Sequence, residues 1–396
     1  MTPTSFPFWP LIATLATQTL ATLAAYTLPA LAPMVAADLR VDGAWVGYFV
    51  SVVYGVGIGS SLLAAGFIHR HGAVRACQLV LIATVAMLLI CAQGGLLAVA
   101  LGAVALGIGY GATAPSATHL LVPRTPPKMM NFVISLRQIG VPLGGVLGAL
   151  LLPPVALRFG WQNAMLAQLV PVVLLILLLE IPRRSWEGTR LATGKPAPVL
   201  ASLRAPFALL AGNPALARLT FTSFIYSGTQ LVFIAFMVVH LTSRAGFDLI
   251  AAGQALAAYQ LSGVLTRPVW GWLADRVMPA RRLLVLQGVV MAAAAALAGQ
   301  FAADWPAWLI LLTCVAAGAT ASGYTGIAYG EFARLGGARR TEATGLGSSS
   351  MFAGVLVLPA LATAIVTTLG SYAIAYGAVA ALAAIGAATL SSSWRE

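Results

Sequence analysis

Long apolar runs, each closed off by charges, Pro or Gly, recur from one end of the chain to the other. In the first half they cover 9–37, 44–68, 74–93, 95–121, 129–157 and 162–182. The second half offers 215–241, 250–273, 280–302, 307–333, 343–369 and 371–391. Each run is long enough to cross a hydrocarbon core about 30 Å thick as a helix. Runs three and four, and runs eleven and twelve, follow one another almost without a loop. The two sets of six are separated by a polar, basic stretch at 183–213 that carries Arg183, Arg184, Arg190, Lys195 and Arg204. The pattern predicts an all-α membrane protein of twelve transmembrane helices. Its expected parts are an N-terminal six-helix bundle over 1–182, a cytoplasmic linker loop over 183–213, and a C-terminal six-helix bundle over 214–396.

Composition agrees and removes the alternatives. Apolar residues make up 60 % of the 396 positions, which is what twelve spans of about 20 residues each consume. Charged residues reach only 8 %, against about 25 % in an ordinary soluble domain. A soluble enzyme, a nucleic-acid-binding protein and a disordered chain are excluded, because no soluble core absorbs such an apolar excess without large exposed patches. The first run lacks a basic leader and a small-residue cleavage site, so it is expected to stay as a helix. Cys77, Cys91 and Cys314 all fall inside apolar runs, which argues against a disulfide framework.

The net charge of +12 reflects topology. With the 183–213 stretch inside, the same side also collects Arg70, Arg75, Arg124, Lys128, Arg218, Arg276, Arg281, Arg282, Arg334, Arg339, Arg340 and Arg395. The other side has Arg40, Arg158 and Arg244. The positive-inside rule then puts both termini in the cytoplasm, in a multi-pass protein of the inner membrane.

The halves repeat each other. Aligning Arg70 with Arg276 also pairs Gly47 with Gly253 and Gly57 with Gly263, and Gly160-Trp161 corresponds to Gly370-Ser371 with a slightly larger offset. Two six-helix pseudo-repeat bundles are the build of an alternating-access carrier, with the substrate site expected between the halves.

Gly271-Trp-Leu-Ala-Asp275-Arg276, followed by Arg281-Arg282, resembles the loop signature of the major facilitator superfamily, G-x-L-A-D-R with basic residues after it. The earlier copy is degraded, with His69 where the Asp belongs and Ala65 where the first Gly belongs. Gly140-Val-Pro-Leu-Gly144-Gly145 is similar to the Gly/Pro motif of that family's fifth helix, one residue shorter. Arg267-Pro268-Val-Trp-Gly271 resembles the helix-8 Arg-Pro of monocarboxylate and oxalate-type carriers. Ser135-Leu-Arg137-Gln138-Ile-Gly-Val-Pro142 looks like carriers grouped near the cyanate transporter. The resemblance implies the major facilitator fold and transport of a small anion.

Two basic residues fall well inside runs. Arg267 lies about 12 Å of helix before Asp275, and Arg137 about 13–14 Å after Lys128. A guanidinium at such depth costs at least about 2.5–3.5 kcal/mol without a partner or water. No Asp or Glu occupies the middle of a run. The repeat sets Ser61 opposite Arg267 and Gly347 opposite Arg137, so no shared scaffold need explains the two cations. An anionic substrate held in the guanidinium fork is one reading; snorkelling or bonding to backbone carbonyls is the other.

Around these residues, Gln18, Thr22 and Tyr26 share one helix face, as do Thr222, Tyr226 and Gln230. Gln138, Tyr110, Tyr259 and Tyr324 complete the candidate substrate-binding set, with interhelical packing as the competing reading for each. Asp275, Arg276, Arg70 and Glu331 are the candidate gate residues, Asp275 through pairing with nearby arginines. His119 and His240 stand near span ends and are not expected to be indispensable. Gly144 and Gly148 make a small-xxx-small pair for close helix contact.

The expected function is secondary active transport, by alternating access, of a small organic anion such as a monocarboxylate. Arg cannot titrate, so coupling should be proton symport with the substrate or anion exchange. A proton-coupled multidrug or cation exporter is the alternative, although that chemistry calls for a buried carboxylate. An intramembrane enzyme would need a nucleophile–base pair or ligand cluster, and the sequence offers neither a catalytic constellation nor a metal or cofactor motif. The expected partners are the anion, protons or a counter-anion, and the lipid bilayer, with the chain working as a monomer.

Overall fold

A computed structural model describes residues 6–41, 45–187 and 206–391, and all regular structure among them is helical. In the first half, the first run splits into α1 (Phe8–Ala30) and α2 (Ala32–Leu39), and α3 (Trp45–His71) and α4 (Ala73–Cys91) follow. The fourth run divides into α5 (Leu96–Tyr110) and α6 (Thr113–Leu121). The fifth consists of α7 (Met130–Gln138) and α8 (Gly140–Phe159), and the sixth of α9 (Trp161–Leu166) and α10 (Leu169–Glu187). The second half holds α11 (Pro214–Arg244), α12 (Leu249–Arg276), α13 (Ala280–Gly299), α14 (Ala307–Ala317), α15 (Thr325–Gly336), α16 (Arg340–Leu369) and α17 (Tyr372–Ser391). Only the two ends of the 183–213 stretch fall within the described residues.

Length and composition alone qualify 10 helical stretches as spans among the described residues. One of these, Ala307–Leu369, holds the tenth and eleventh runs together. The 28-residue α12 is not among the 10; it carries Arg267 and several other polar side chains, which lower its hydropathy. These two differences account for the twelve runs of the sequence. Large apolar side chains stand outward, with Leu157 and Ile181 each 79 % exposed. Such a surface is tolerable only against lipid.

Helix ends follow local chemistry. Asp248 caps α12 by accepting from the Ala251 amide at 2.7 Å, and Asn213 caps α11 by accepting from Leu216 at 3.0 Å. The tight passage from α16 to α17 turns on Gly370, whose φ of +63° a side-chain-bearing residue adopts only with strain.

The chain forms two compact units. The first comprises Met1–Pro126, Arg137–Leu209 and Gly336–Ser349, so it takes in the start of α16 from the second half of the sequence. The second comprises Pro127–Leu136, Leu210–Leu335 and Ser350–Glu396, and so takes in the start of α7. In the first unit α1 lies directly on α8. A β-carbon on Gly144 would come within 2.5 Å of the Thr19 carbonyl oxygen and 2.9 Å of Thr22 Cβ, the close approach expected of the small-residue pair.

The second unit contains a π-turn, Gly318–Ser322, between α14 and α15. A widened turn of this kind leaves carbonyls that the helix itself does not satisfy, and α12 supplies their donors. Thr266 Oγ1 (3.1 Å) and Trp270 Nε1 (2.7 Å) both donate to the Ala319 carbonyl, while Ser262 Oγ donates to Val315 at 3.0 Å. Gly318 permits the approach, since a β-carbon there would strike the Tyr259 carbonyl.

Candidate functional site

In the first unit, Arg137 lies in the last turn of α7 and is 3 % exposed. Its Nη1 donates to Gln138 Oε1 at 2.7 Å and its Nη2 to the Thr113 carbonyl at 2.8 Å. That carbonyl belongs to the first residue of α6, just past the break between α5 and α6. Arg137 also lies within electrostatic reach of the Tyr110 hydroxyl. Tyr110 is tied to α1: its hydroxyl is 3.2 Å from Thr22 Oγ1, and Gln18 Nε2 donates to Thr22 Oγ1 at 2.9 Å and to Tyr110 at 3.4 Å. The ring of Tyr54, on α3, meets Tyr110 edge-on at 6.0 Å, and Tyr26 hydrogen-bonds Tyr54. Gln18, Tyr26, Tyr110, Arg137 and Gln138 thus belong to one polar, aromatic patch. Tyr54 was missed by sequence reasoning; its sequence neighbours on α3 give no polar stripe to mark it.

In the second unit, Arg267 is 2 % exposed. Its Nε donates to the Ser322 carbonyl at 3.0 Å and its Nη2 to Ser322 Oγ at 3.3 Å. The guanidinium is therefore held by the last residue of the π-turn, and Ser322 is a second residue the sequence reading passed over. The run of small residues from Gly318 to Gly323 was the available signal.

The three candidate tyrosines of this unit have hydroxyls directed at main-chain carbonyls. Tyr226 donates to Leu284 (3.1 Å), Tyr259 to Gln230 (3.3 Å) and Tyr324 to Ser223 (3.4 Å), and all three are fully buried. This geometry is helix-to-helix packing. Gln230 takes part through its carbonyl and is partly buried.

Of the gate candidates, Asp275 departs from the expected partners. Its carboxylate accepts from the Asn131 amide (3.0 Å), Asn131 Nδ2 (2.9 Å) and the Phe132 amide (2.8 Å) at the start of α7. The physical reason is the unsatisfied amides and positive end of a helix N-terminus, a better place for a carboxylate than mobile surface arginines. Arg276 and Arg70 are exposed. Glu331, 6 % exposed, accepts from Arg334 Nε at 2.7 Å and Nη2 at 2.5 Å.

At the matching place of the first unit, His69 Nε2 lies 3.5 Å from Glu342 Oε1, and Arg339 lies 3.8 Å from the same oxygen. His119 Nδ1 is 2.9 Å from Thr341 Oγ1. His240 is buried, with Nε2 donating to the Ala298 carbonyl at 2.7 Å. No group of three or more His, Cys, Asp or Glu with metal-holding geometry occurs among the described residues.

Comparison with known proteins places this arrangement. A family model described as Major Facilitator Superfamily matches residues 14–333 and 219–395. The 4-hydroxybenzoate transporter PcaK of Pseudomonas aeruginosa is 28 % identical over 205 residues, which cover 44 % of this chain and 45 % of that protein. The probable nitrate/nitrite transporter NarK2 of Mycobacterium tuberculosis is 33 % identical over 154 residues, covering 38 % of this chain and 35 % of the other. The chain thus spans less than half the length of these curated relatives. The crystal structure of the human organic anion transporter MFSD10 (TETRAN) superimposes with a TM-score of 0.74 at 15 % identity, over 98 % of this chain and 100 % of that one. At that identity the likeness is one of fold.

Proposed function

The chain belongs to the Major Facilitator Superfamily, and on that premise we propose that it is a secondary transporter moving a small organic anion, a monocarboxylate, by alternating access. The observation that carries the reading is one buried guanidinium deep in a span of each unit, Arg137 and Arg267. Both are aimed by neutral groups: Gln138 Oε1 and the Thr113 carbonyl for one, the Ser322 carbonyl and hydroxyl for the other. These partners fix the orientation of each fork. A planar fork so oriented suits a carboxylate.

The relatives support the sign of the charge, since 4-hydroxybenzoate and nitrate are both anions. The Tyr26, Tyr54 and Tyr110 rings beside Gln18 and Thr22 suit a substrate with an aromatic ring. Coupling is by proton symport with the acid or by exchange of anions, because an arginine does not change charge during a cycle. Asp275, with its hold on the start of α7, serves as a clasp that must part when that end of the carrier opens. Glu331 keeps Arg334 in place at the same end of the second unit.

The test is ligand-induced thermal stabilisation of the purified protein in detergent. Small carboxylates, benzoates among them, should stabilise the wild type and fail to stabilise Arg267→Ala. Stabilisation by lipophilic cations in place of anions would overturn the reading in favour of a cation exporter.

A further inference from the structure

The arginine-rich end of the second unit contains a cavity that belongs to neither arginine patch. It holds about 50 Å³ and lies among Arg218 and Leu219 of α11, Arg281 and Leu284 of α13, and Glu331 and Arg334 of α15. One water needs about 10–15 Å³, so a tetrahedral anion of a few heavy atoms fits.

The charges on its walls are unequal: three guanidiniums face one carboxylate. Glu331 is committed to Arg334 through both oxygens, while Arg281 is braced by donating through Nε to the Leu390 carbonyl at 2.7 Å. The cavity also sits at two helix beginnings. Arg218 lies in the second turn of α11, which starts at Pro214. Arg281 is the second residue of α13, whose N-terminus has no side-chain cap. The positive ends of two helix dipoles therefore add to the guanidinium charge.

We propose that this cavity is a second anion site, distinct from the transport site, that binds a phosphate-type oxyanion. Three arguments converge. Guanidinium forks match phosphate oxygens two at a time. The uncapped beginning of α13 offers amides to the same kind of ligand. Basic pockets between transmembrane helices at the level of the headgroups are where lipid phosphates bind. The phosphate comes either from a lipid headgroup reaching in between the helix ends or from free phosphate in the aqueous phase. The ligand would brace α11, α13 and α15 against one another at that end.

The experiment uses the full chain in neutral detergent at constant ionic strength, titrated with inorganic phosphate, with short-chain phosphatidylglycerol and with short-chain phosphatidylcholine. The reading is the shift in melting temperature. Stabilisation by phosphatidylglycerol alone identifies the lipid headgroup as the source, by inorganic phosphate alone the free ion, and by both a site that accepts either.

Arg218→Gln and Arg281→Gln should each weaken the response about tenfold or more. Arg282→Gln, an exposed change beside the cavity, should leave it intact. Glu331→Gln removes the one opposing charge and releases Arg334, so it should strengthen binding; a gain of this kind cannot come from misfolding and decides the matter if the arginine variants do not fold. The proposal is overturned if neither ligand class stabilises, if Arg282→Gln weakens the response as much as the cavity variants, or if Glu331→Gln brings no gain. Loss of the phosphate response in Arg267→Gln with retention in Arg218→Gln would place the ion in the transport site and also overturn it. Loss of carboxylate binding in Arg267→Gln leaves this second site untouched, so the two readings fail separately.

Discussion

Replacing Asp275 by Asn should open the clasp on α7, and the structure sets the size of the effect. Both carboxylate oxygens are in use, accepting three hydrogen bonds from Asn131 and Phe132 at 2.8–3.0 Å. Bonds to a charged group contribute about 1.5–3 kcal/mol and neutral ones about 0.5–1.5 kcal/mol. A carboxylate at a helix beginning adds about 0.3–1 kcal/mol. Asparagine keeps one acceptor and turns an N–H₂ toward an amide that needs an acceptor. Asp275 is partly exposed, which takes the estimate toward the lower end. A net loss of about 2 kcal/mol remains, or roughly a thirtyfold change in the clasped-to-open ratio.

A cysteine at position 135 reports the clasp directly. Ser135 is fully buried, and a β-carbon on Gly271 would lie 2.8 Å from its hydroxyl, so its side chain reaches solvent only when α7 leaves α12. In a background without Cys77, Cys91 and Cys314, maleimide labelling of Ser135→Cys should speed up by about the same factor when Asp275→Asn is added. Arg276→Gln, a neighbouring exposed change, should not alter it. If the melting temperature falls while the labelling rate stays put, Asp275 is a folding contact and the clasp reasoning is refuted.

Arg267→Lys keeps the charge and loses the fork, so anion affinity should fall about tenfold or more; wild-type affinity in Arg267→Ala would end the assignment. In liposomes, an inward proton gradient or a preloaded anion should drive uptake, and a membrane potential alone should do little; strong accumulation on potential alone would mean the coupling is electrogenic. Cysteines at Gly188, which lies outside the described residues, and at Asp304 should label from opposite sides of the membrane, Gly188 from within; its labelling from outside in intact cells would invert the topology. The hydrogen bond to Glu342 raises the His69 imidazole above its ordinary value of about 6.5, so the contact should be fully present below about pH 6.5 and loosen as the pH climbs through that raised value. A cysteine at Ser349, buried in the same unit, should then label relatively faster at pH 8 than at pH 6, a ratio that His69→Gln abolishes.

The spans were legible because a bilayer demands long apolar runs and tolerates few charges, and both marks are one-dimensional. The edges of α4, α11 and α16 fall within a few residues of the runs for that reason. What happens inside a run is another matter. The breaks between α5 and α6, between α7 and α8, and at the π-turn leave composition unchanged. Two of them receive donors from other parts of the fold: Arg137 at Thr113, and Thr266 and Trp270 at Ala319. The tyrosines show the same limit. Tyr226, Tyr259 and Tyr324 lie mid-span, but the direction of a hydroxyl depends on helix rotation and on which carbonyl a neighbour presents. Gln18, Thr22 and Tyr110 read better because two of them share a face of one helix.

The two copies of the loop signature carry the argument one step further. In the second unit, an anion at the end of α12 sits on the beginning of α7. In the first unit the corresponding residue is His69, which cannot fill that place: a helix beginning attracts negative charge, and imidazole is neutral or positive. The anion is found instead in the first turn of the helix itself, as Glu342 of α16, and His69 pairs with it. The job of tying a second-helix end to a fifth-helix beginning is kept, with the charges exchanged between the partners. Arg339 just before α16, Arg340 at its start and His119 on α6 surround this pair, and each adds positive charge or the potential for it, so protonation of His69 relies on Glu342 alone for support. The pair is half-exposed at His69 and contributes at most about 1 kcal/mol, less than the three-bond hold of Asp275. The imidazole clasp weakens as the pH rises through the raised value that Glu342 gives His69. The two units are therefore bound to their captured helix ends with different strength, and the histidine side yields as the pH rises.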